Sequence, residues 1–168
     1  MKPKKPDKEV YSKEIQDRIY DISRKFVSRV VKQNPKIYLV NVFGSVIKRN
    51  MGFYKGIYNK ERYGSDVDIV CIVDPKFLAP KNWKLLVHGS CFDMYNFDAV
   101  ENYIPELGKK DLPINPFKFL IYIPGVHNYE EAKELSAIDK EEAEKKGWPV
   151  ETWHINKKGL ARAMKEKK

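Results

Sequence analysis

Apolar residues follow a helical spacing near the start of the chain. They recur at every third or fourth position from Ile15 to Val31. Ser12 is a suitable N-cap before them, and Asn34-Pro35 is a typical helix stop after them. The pattern therefore predicts one amphipathic helix between Ser12 and Pro35.

Later apolar runs predict strands rather than helices, because they are short, rich in β-branched or aromatic residues and bounded by Gly, Pro or Asp. The runs cover residues 37–43, 66–73, 84–97 with a bend at Gly89-Ser90, and 117–123. The sequence thus predicts a sheet of four to five strands.

Further helices are predicted in the second half of the chain. Asp98 is a suitable cap for a helix to about Leu107, and residues 129–146 combine acids, lysines and a thin apolar stripe at helical spacing. Residues 148–168 contain two Trp and predict a loop followed by a short basic helix. We expect Trp148 and Trp153 to anchor this tail by packing.

This order of elements predicts the fold class α/β (α+β): a mixed β-sheet with helices mainly on one face and a helical C-terminal extension. Residues 1–8 combine Lys and Pro and predict a flexible basic arm. Residues 9–126 form the predicted main domain, and residues 127–168 form the extension packed on it. Because 168 residues fit one domain, we expect a single-domain protein and not a larger multidomain enzyme.

The charge balance suggests a polyanionic partner or substrate. Lys and Arg number 32 against 23 Asp and Glu, which gives a formal net charge of +9. No apolar run approaches the roughly 18 residues of a membrane span, so we expect a cytoplasmic protein with no membrane partner. Cys71 and Cys91 are too few for a disulfide scaffold, and we expect both to be reduced core residues.

Two acids share one face of a predicted strand. Alternation along residues 66–73 places the apolar side chains of Val67 and Ile69 on one face and Asp66 and Asp68 on the other. Their backbones would be roughly 7 Å apart, so the carboxylates could together bind divalent cations. Asp93 lies on a later predicted strand as a third candidate carboxylate.

A tight turn precedes this strand. Gly44-Ser45 follows a buried strand, and Gly44 has no side chain that would obstruct a phosphate. If a helix begins here, its free amides and the Ser45 hydroxyl would face an anion, with Lys48 and Arg49 one turn later as further positive charges. The sequence predicts a nucleotide-binding turn.

Phe-Gly-Ser followed by SDVDIVCIVD resembles the signature of the DNA polymerase beta-like nucleotidyltransferase superfamily, and in particular its minimal nucleotidyltransferases. The resemblance covers about residues 37–97. It implies transfer of a nucleoside monophosphate from a nucleoside triphosphate such as ATP to a hydroxyl, with Mg²⁺ or Mn²⁺ as cofactor.

The resemblance also implies a role for each matched residue. Gly44 and Ser45 match the turn that holds the triphosphate, and Asp66 and Asp68 match the paired metal ligands. Asp93 is the best match to the third metal-binding carboxylate, which would help to activate the attacking hydroxyl and could act as a general base.

The resemblance leaves the acceptor open. Net charge favours RNA, for example a tRNA 3′ end, while a partner protein and a small molecule are the alternatives. A further alternative is a non-catalytic RNA- or protein-binding module with the same fold. Residues 46–65 are a longer connection than the family usually has, and their basic and aromatic residues suit either a solvated loop or a lid that stacks on a base.

Several other polar residues have simpler interpretations. His88, His127 and His154 lack the spacing of metal ligands and are expected to be ordinary surface or loop residues. Asp74 before Pro75 is expected to be a turn residue.

Overall fold

Strands and helices of the protein form two sheets with helices packed on them. The computed structural model describes residues 8–54, 63–97 and 117–165. The elements in chain order are β1 (Lys8–Val10), α1 (Lys13–Gln33), β2 (Ile37–Phe43), α2 (Ser45–Lys48), β3 (Gly52–Tyr54), β4 (Tyr63–Gly64), β5 (Val67–Val73), β6 (Trp83–His88), β7 (Asp93–Phe97), β8 (Phe117–Tyr122), α3 (Tyr129–Leu135), α4 (Lys140–Lys145), β9 (Val150–Ile155) and α5 (Lys157–Met164). The expected mixed α and β class is confirmed.

The main sheet has six strands in the order β6-β7-β8-β5-β2-β9. Only the β5–β8 pair is parallel, and all other neighbours are antiparallel. The prediction of four to five strands was too low, because part of the tail predicted as a loop is the edge strand β9. Thr152 of β9 donates a hydrogen bond of 2.7 Å to Asn41 Oδ1 in β2, a tertiary contact that sequence periodicity does not reveal.

The first helix, α1, is confirmed with its predicted cap. Ser12 Oγ accepts a hydrogen bond from the Ile15 amide, and the helix ends at Gln33. Its buried face, which includes Phe26 and Val30, packs against the apolar face of the sheet formed by alternate residues of β5 and β8. The helix α1 therefore covers one face of the main sheet.

The opposite face of the sheet is covered by the C-terminal helices. Ala132 of α3 packs there with Val70 and Leu120, and Leu160 and Met164 of α5 contact the same cluster. The expectation that helices lie mainly on one face is therefore wrong. The predicted single helix over 129–146 is also wrong, because Asp139 accepts a hydrogen bond from the Glu142 amide and caps a second helix.

A three-stranded sheet of β1, β3 and β4 lies beside the start of α1. The Gln16 side chain joins it to the helix, since its Nε2 donates to the Met51 carbonyl at 2.6 Å and its Oε1 accepts from the Met51 amide at 2.8 Å. This sheet includes both ends of the insertion over residues 46–65, whose middle lies outside the described residues. Residues 1–7 of the predicted arm and the predicted helix over 98–107 also lie outside the described residues. Lys8, the predicted end of the flexible arm, instead belongs to β1.

Candidate functional site

The glycine of the predicted nucleotide-binding turn lies directly against the second acid of the predicted pair. Phe43, the last residue of β2, pairs with Asp68 of β5, and Gly44 follows it. Gly44 has φ +81° and ψ −149°, a conformation that other residues adopt only with strain. A Cβ atom on Gly44 would lie 2.8 Å from Asp68 Oδ2. Glycine therefore avoids both the backbone strain and a contact that would displace the Asp68 carboxylate.

Asp66 and Asp68 lie on one side of the β5 strand, as predicted. The alternate residues Val67 and Ile69 are fully buried in the core under α1. The side chain of Asp66 is 28% exposed. The two carboxylates thus reach solvent at the start of β5, beside the turn.

A lysine completes this group. Lys118 of β8 is the strand neighbour of Asp68, and its Nζ lies 3.0 Å from Asp66 Oδ2. Sequence reasoning did not select Lys118, because only the parallel pairing of β5 with β8 brings it beside the acids. No local sequence signal could have identified it.

The electrostatics of the group follow from its partial burial. Burial raises the pKa of Asp68 to about 6, and the charge of Asp66 adds to this shift, while Lys118 opposes it. Burial lowers the pKa of Lys118, but the charge of Asp66 and the hydrogen bond to it outweigh this effect and leave the pKa above its ordinary value. The pKa of Asp68 therefore lies closer to neutral pH than that of an ordinary aspartate, and Lys118 stays charged at neutral pH.

The other residues predicted to bind nucleotide have different positions. Ser45 accepts a hydrogen bond of 3.4 Å from Lys8 Nζ, which places a lysine of β1 at the turn. Lys48 is exposed at the end of α2. Arg49 turns away to α1, where its guanidinium lies 3.7 Å over the Tyr20 ring and 3.8 Å from Asp17. With only four residues, α2 is too short for the expected helix-dipole argument to carry weight.

Asp93 is not brought together with Asp66 and Asp68. It pairs with Ile121 of β8, whereas Asp68 pairs with Lys118. The two partner positions on β8 are three residues apart, which is a distance of roughly 10 Å along the strand. In addition, β7 and β5 lie on either side of β8, so two strand spacings of about 5 Å each separate them. An odd offset also reverses the face, so Asp93 belongs to the opposite side of the sheet from Asp68. The expectation that Asp93 supplies a third carboxylate to this group does not agree with the geometry.

Asp93 instead contacts two histidines, of which His127 is buried and His88 is exposed. Its Oδ1 lies 3.2 Å from His127 Nε2 and 3.0 Å from His88 Nδ1. His127 Nδ1 accepts a 2.8 Å hydrogen bond from the Ile123 amide, so neutral His127 carries its proton on Nε2 and donates it to Asp93. His127 lies in the loop between β8 and α3, in agreement with the expectation of a surface or loop residue, but its side chain is almost fully buried.

The donor set at the turn fits a divalent cation on chemical grounds. Asp66 and Asp68 supply hard carboxylate oxygens, and a cation would offset the burial cost and the mutual repulsion of these acids. Within residues 8–54, 63–97 and 117–165, no group of three or more His, Cys, Asp or Glu side chains is arranged to hold a metal ion. Any metal at this turn would therefore have two carboxylates from the described chain.

Comparisons with models of protein families, with curated proteins and with solved structures gave no match. In the described part of the chain, no helix combines the length and the apolar character needed to cross a bilayer. Cys71 and Cys91 are both buried and unpaired with each other, as expected.

Proposed function

We propose that this protein transfers a nucleoside monophosphate from a nucleoside triphosphate to a hydroxyl acceptor in a reaction that requires Mg²⁺ or Mn²⁺. One observation carries the proposal: the backbone of Gly44 lies against the Asp68 carboxylate, with Asp66 beside it. At such a site a phosphate group would lie at the glycine turn, and its cation would lie next to it at the paired acids.

Each residue at the turn has a definite part in this proposal. Asp66 and Asp68 would hold the cation, which would supply charge neutralisation and orient the triphosphate. Gly44 lets the Asp68 carboxylate lie against the turn. The Ser45 hydroxyl and the Lys8 ammonium, which lie 3.4 Å apart, would donate hydrogen bonds to phosphate oxygens. In-line attack by the acceptor hydroxyl would form a bond from its oxygen to the α-phosphorus and break the bond from that phosphorus to the bridging oxygen. Pyrophosphate would leave, and the hydroxyl proton would pass to solvent.

The surface charge favours RNA as the acceptor. A groove with a volume of about 510 Å³ lies between the C-terminal half of α1 and β9, and Arg24, Lys25, Lys32 and Trp153 are among its lining residues. Such a basic groove suits the phosphates of a nucleic acid, and its aromatic wall suits a sugar or base. A partner protein or a small molecule remains the alternative acceptor.

To test the proposal, the protein is incubated with total cell RNA and total cell protein in the presence of Mg²⁺ or Mn²⁺. Each of the four α-labelled nucleoside triphosphates is added in a separate reaction. We expect label in the RNA fraction, and loss of that label in a variant with Asp66→Asn and Asp68→Asn. Asp21→Asn, an exposed acid on α1, is the matched control and should retain transfer. Absence of label from both fractions with all four triphosphates would overturn the proposal.

A second candidate is a non-catalytic RNA-binding module. The ion pair between Lys118 and Asp66 favours it, because this pair neutralises one of the two acids without any metal. This candidate predicts RNA binding that falls steeply with salt and survives the double Asp→Asn change. Triphosphate binding that depends on Mg²⁺ would argue against it.

A further inference from the structure

Lys118 lies on the strand next to Asp66 and Asp68 and contacts Asp66. The strand next to β5 on the side away from β2 is β8, and Lys118 is the β8 residue that pairs with Asp68. Side chains of paired residues on neighbouring strands point to the same face. Among the described residues of β8, the one beside the two acids is therefore the cation Lys118 and not a carboxylate. Asp93 lies one strand further away, on the other face of the sheet.

We propose that the Lys118 ammonium takes the place of one divalent ion, so that the site holds a single Mg²⁺ together with the triphosphate. This inference rests on the proposed function, since it concerns the same two acids. Lys118 is then a positioning residue whose charge determines how many metal ions the site accepts.

The reasoning starts from the number of carboxylate oxygens that remain available. Two-metal sites place the ions about 3.5 to 4 Å apart, which requires carboxylates that bridge both ions. At Asp66, Oδ2 already contacts the Lys118 ammonium at 3.0 Å. The two acids then have enough oxygens for one ion, which Mg²⁺ commonly binds through one or two carboxylates plus substrate phosphates.

The charge of Lys118 also opposes a second ion. An ammonium and a divalent cation at the same carboxylate repel each other, and the partial burial of both side chains weakens screening by water. The lysine side chain has three N–H donors, so it can contact a phosphate oxygen while it holds Asp66. Lys118 thus supplies positive charge without needing ligands of its own.

The experiment counts metal ions. Protein is dialysed to equilibrium against Mn²⁺ and the α,β-methylene analogue of each nucleoside triphosphate, which cannot undergo transfer at the α-phosphorus. The number of bound Mn²⁺ per bound nucleotide is measured for the native protein, Lys118→Asp and Lys118→Asn, and paired ions are identified by dipolar broadening in the electron paramagnetic resonance spectrum. Lys84→Asp, the same charge change at an exposed position of β6, is the control.

We expect one Mn²⁺ per nucleotide in the native protein and in Lys84→Asp, and two coupled Mn²⁺ ions in Lys118→Asp. Lys118→Asn should bind Mn²⁺ at least several-fold more tightly than the native protein, and it serves as the folded substitute if Lys118→Asp does not fold. Two ions in the native protein, or unchanged Mn²⁺ binding in Lys118→Asn, would overturn this inference alone. Failure of the native protein to bind any of the four analogues would overturn the proposed function instead.

Discussion

Gly44 lies directly against the Asp68 carboxylate: a Cβ atom on Gly44 would be 2.8 Å from Asp68 Oδ2, so a side chain at this turn would displace the carboxylate. The contact joins the end of β2 to the start of β5. Both the backbone conformation of Gly44 and its contact with Asp68 disfavour other residues, and the two effects can be separated by experiment.

Gly44→Ala should abolish binding of Mn²⁺ and triphosphate and lower the free energy of unfolding by about 1–3 kcal/mol from backbone strain. Gly147→Ala is the matched control, because Gly147 has nearly the same φ, +79°, but no atom within 4 Å of its added Cβ. We expect the control to lose stability through strain at positive φ and to keep nucleotide binding. Calorimetric titration and urea unfolding measure the two effects, and equal nucleotide binding by both variants would contradict this prediction.

Asp68→Asn should stabilise the metal-free protein above pH 6. The pKa of Asp68 is about 6 against an ordinary value of 3.8, so the folded state binds the proton more tightly than the unfolded state does. The free energy of unfolding of the native protein therefore falls as pH rises from about 4 to about 6, by up to about 3 kcal/mol.

Asparagine cannot ionise, so the advantage of Asp68→Asn should be largest above pH 6 and shrink as pH falls toward 4. Urea unfolding in the presence of a chelator at pH 5 and pH 7.5 measures the difference. Asp21→Asn, at an exposed position, should show no such dependence. An advantage that is the same at both pH values would show that burial of the charge is not its cause.

Asp93→Asn should destabilise the fold by about 1–3 kcal/mol, because it weakens the hydrogen bond that buried His127 donates. Binding of Mn²⁺ and triphosphate should persist, since Asp93 lies on the other face of the sheet. His88→Gln is the comparison, and it should cost less because His88 is 73% exposed. If an Asp93→Asn protein remains folded but loses nucleotide binding, Asp93 belongs to the metal site and this prediction is wrong.

Gly159→Ala should destabilise the protein by about 1–3 kcal/mol through overpacking. An added Cβ would lie 2.6 Å from the ring of Tyr38, where α5 crosses β2. Tyr38 cannot move easily, because its hydroxyl donates a 2.8 Å hydrogen bond to Asp74. Ala161→Ser, on the exposed side of the same helix, is the control for thermal unfolding. A Gly159→Ala protein as stable as this control would show that the ring can shift.

Local patterns in the sequence were sufficient for the elements whose burial is one-sided. The spacing of α1 and the alternation of Asp66 and Asp68 with Val67 and Ile69 follow from the periods of helix and strand, so those predictions are confirmed. The cap at Ser12 and the turn that begins at Asp74, where the Asp74 carboxylate accepts a hydrogen bond from the Lys76 amide at 2.7 Å, also depend on neighbouring residues only.

The features of the site and the sheet that join residues far apart in the chain were decided by tertiary structure, above all by strand pairing. The parallel register of β5 with β8 places Lys118, and not Asp93, beside Asp68. The addition of β9 to the sheet and the burial of His127 against Asp93 likewise depend on contacts between distant segments. A one-dimensional pattern states which face a residue takes on its own strand, whereas the order and offset of strands come from packing of the whole core.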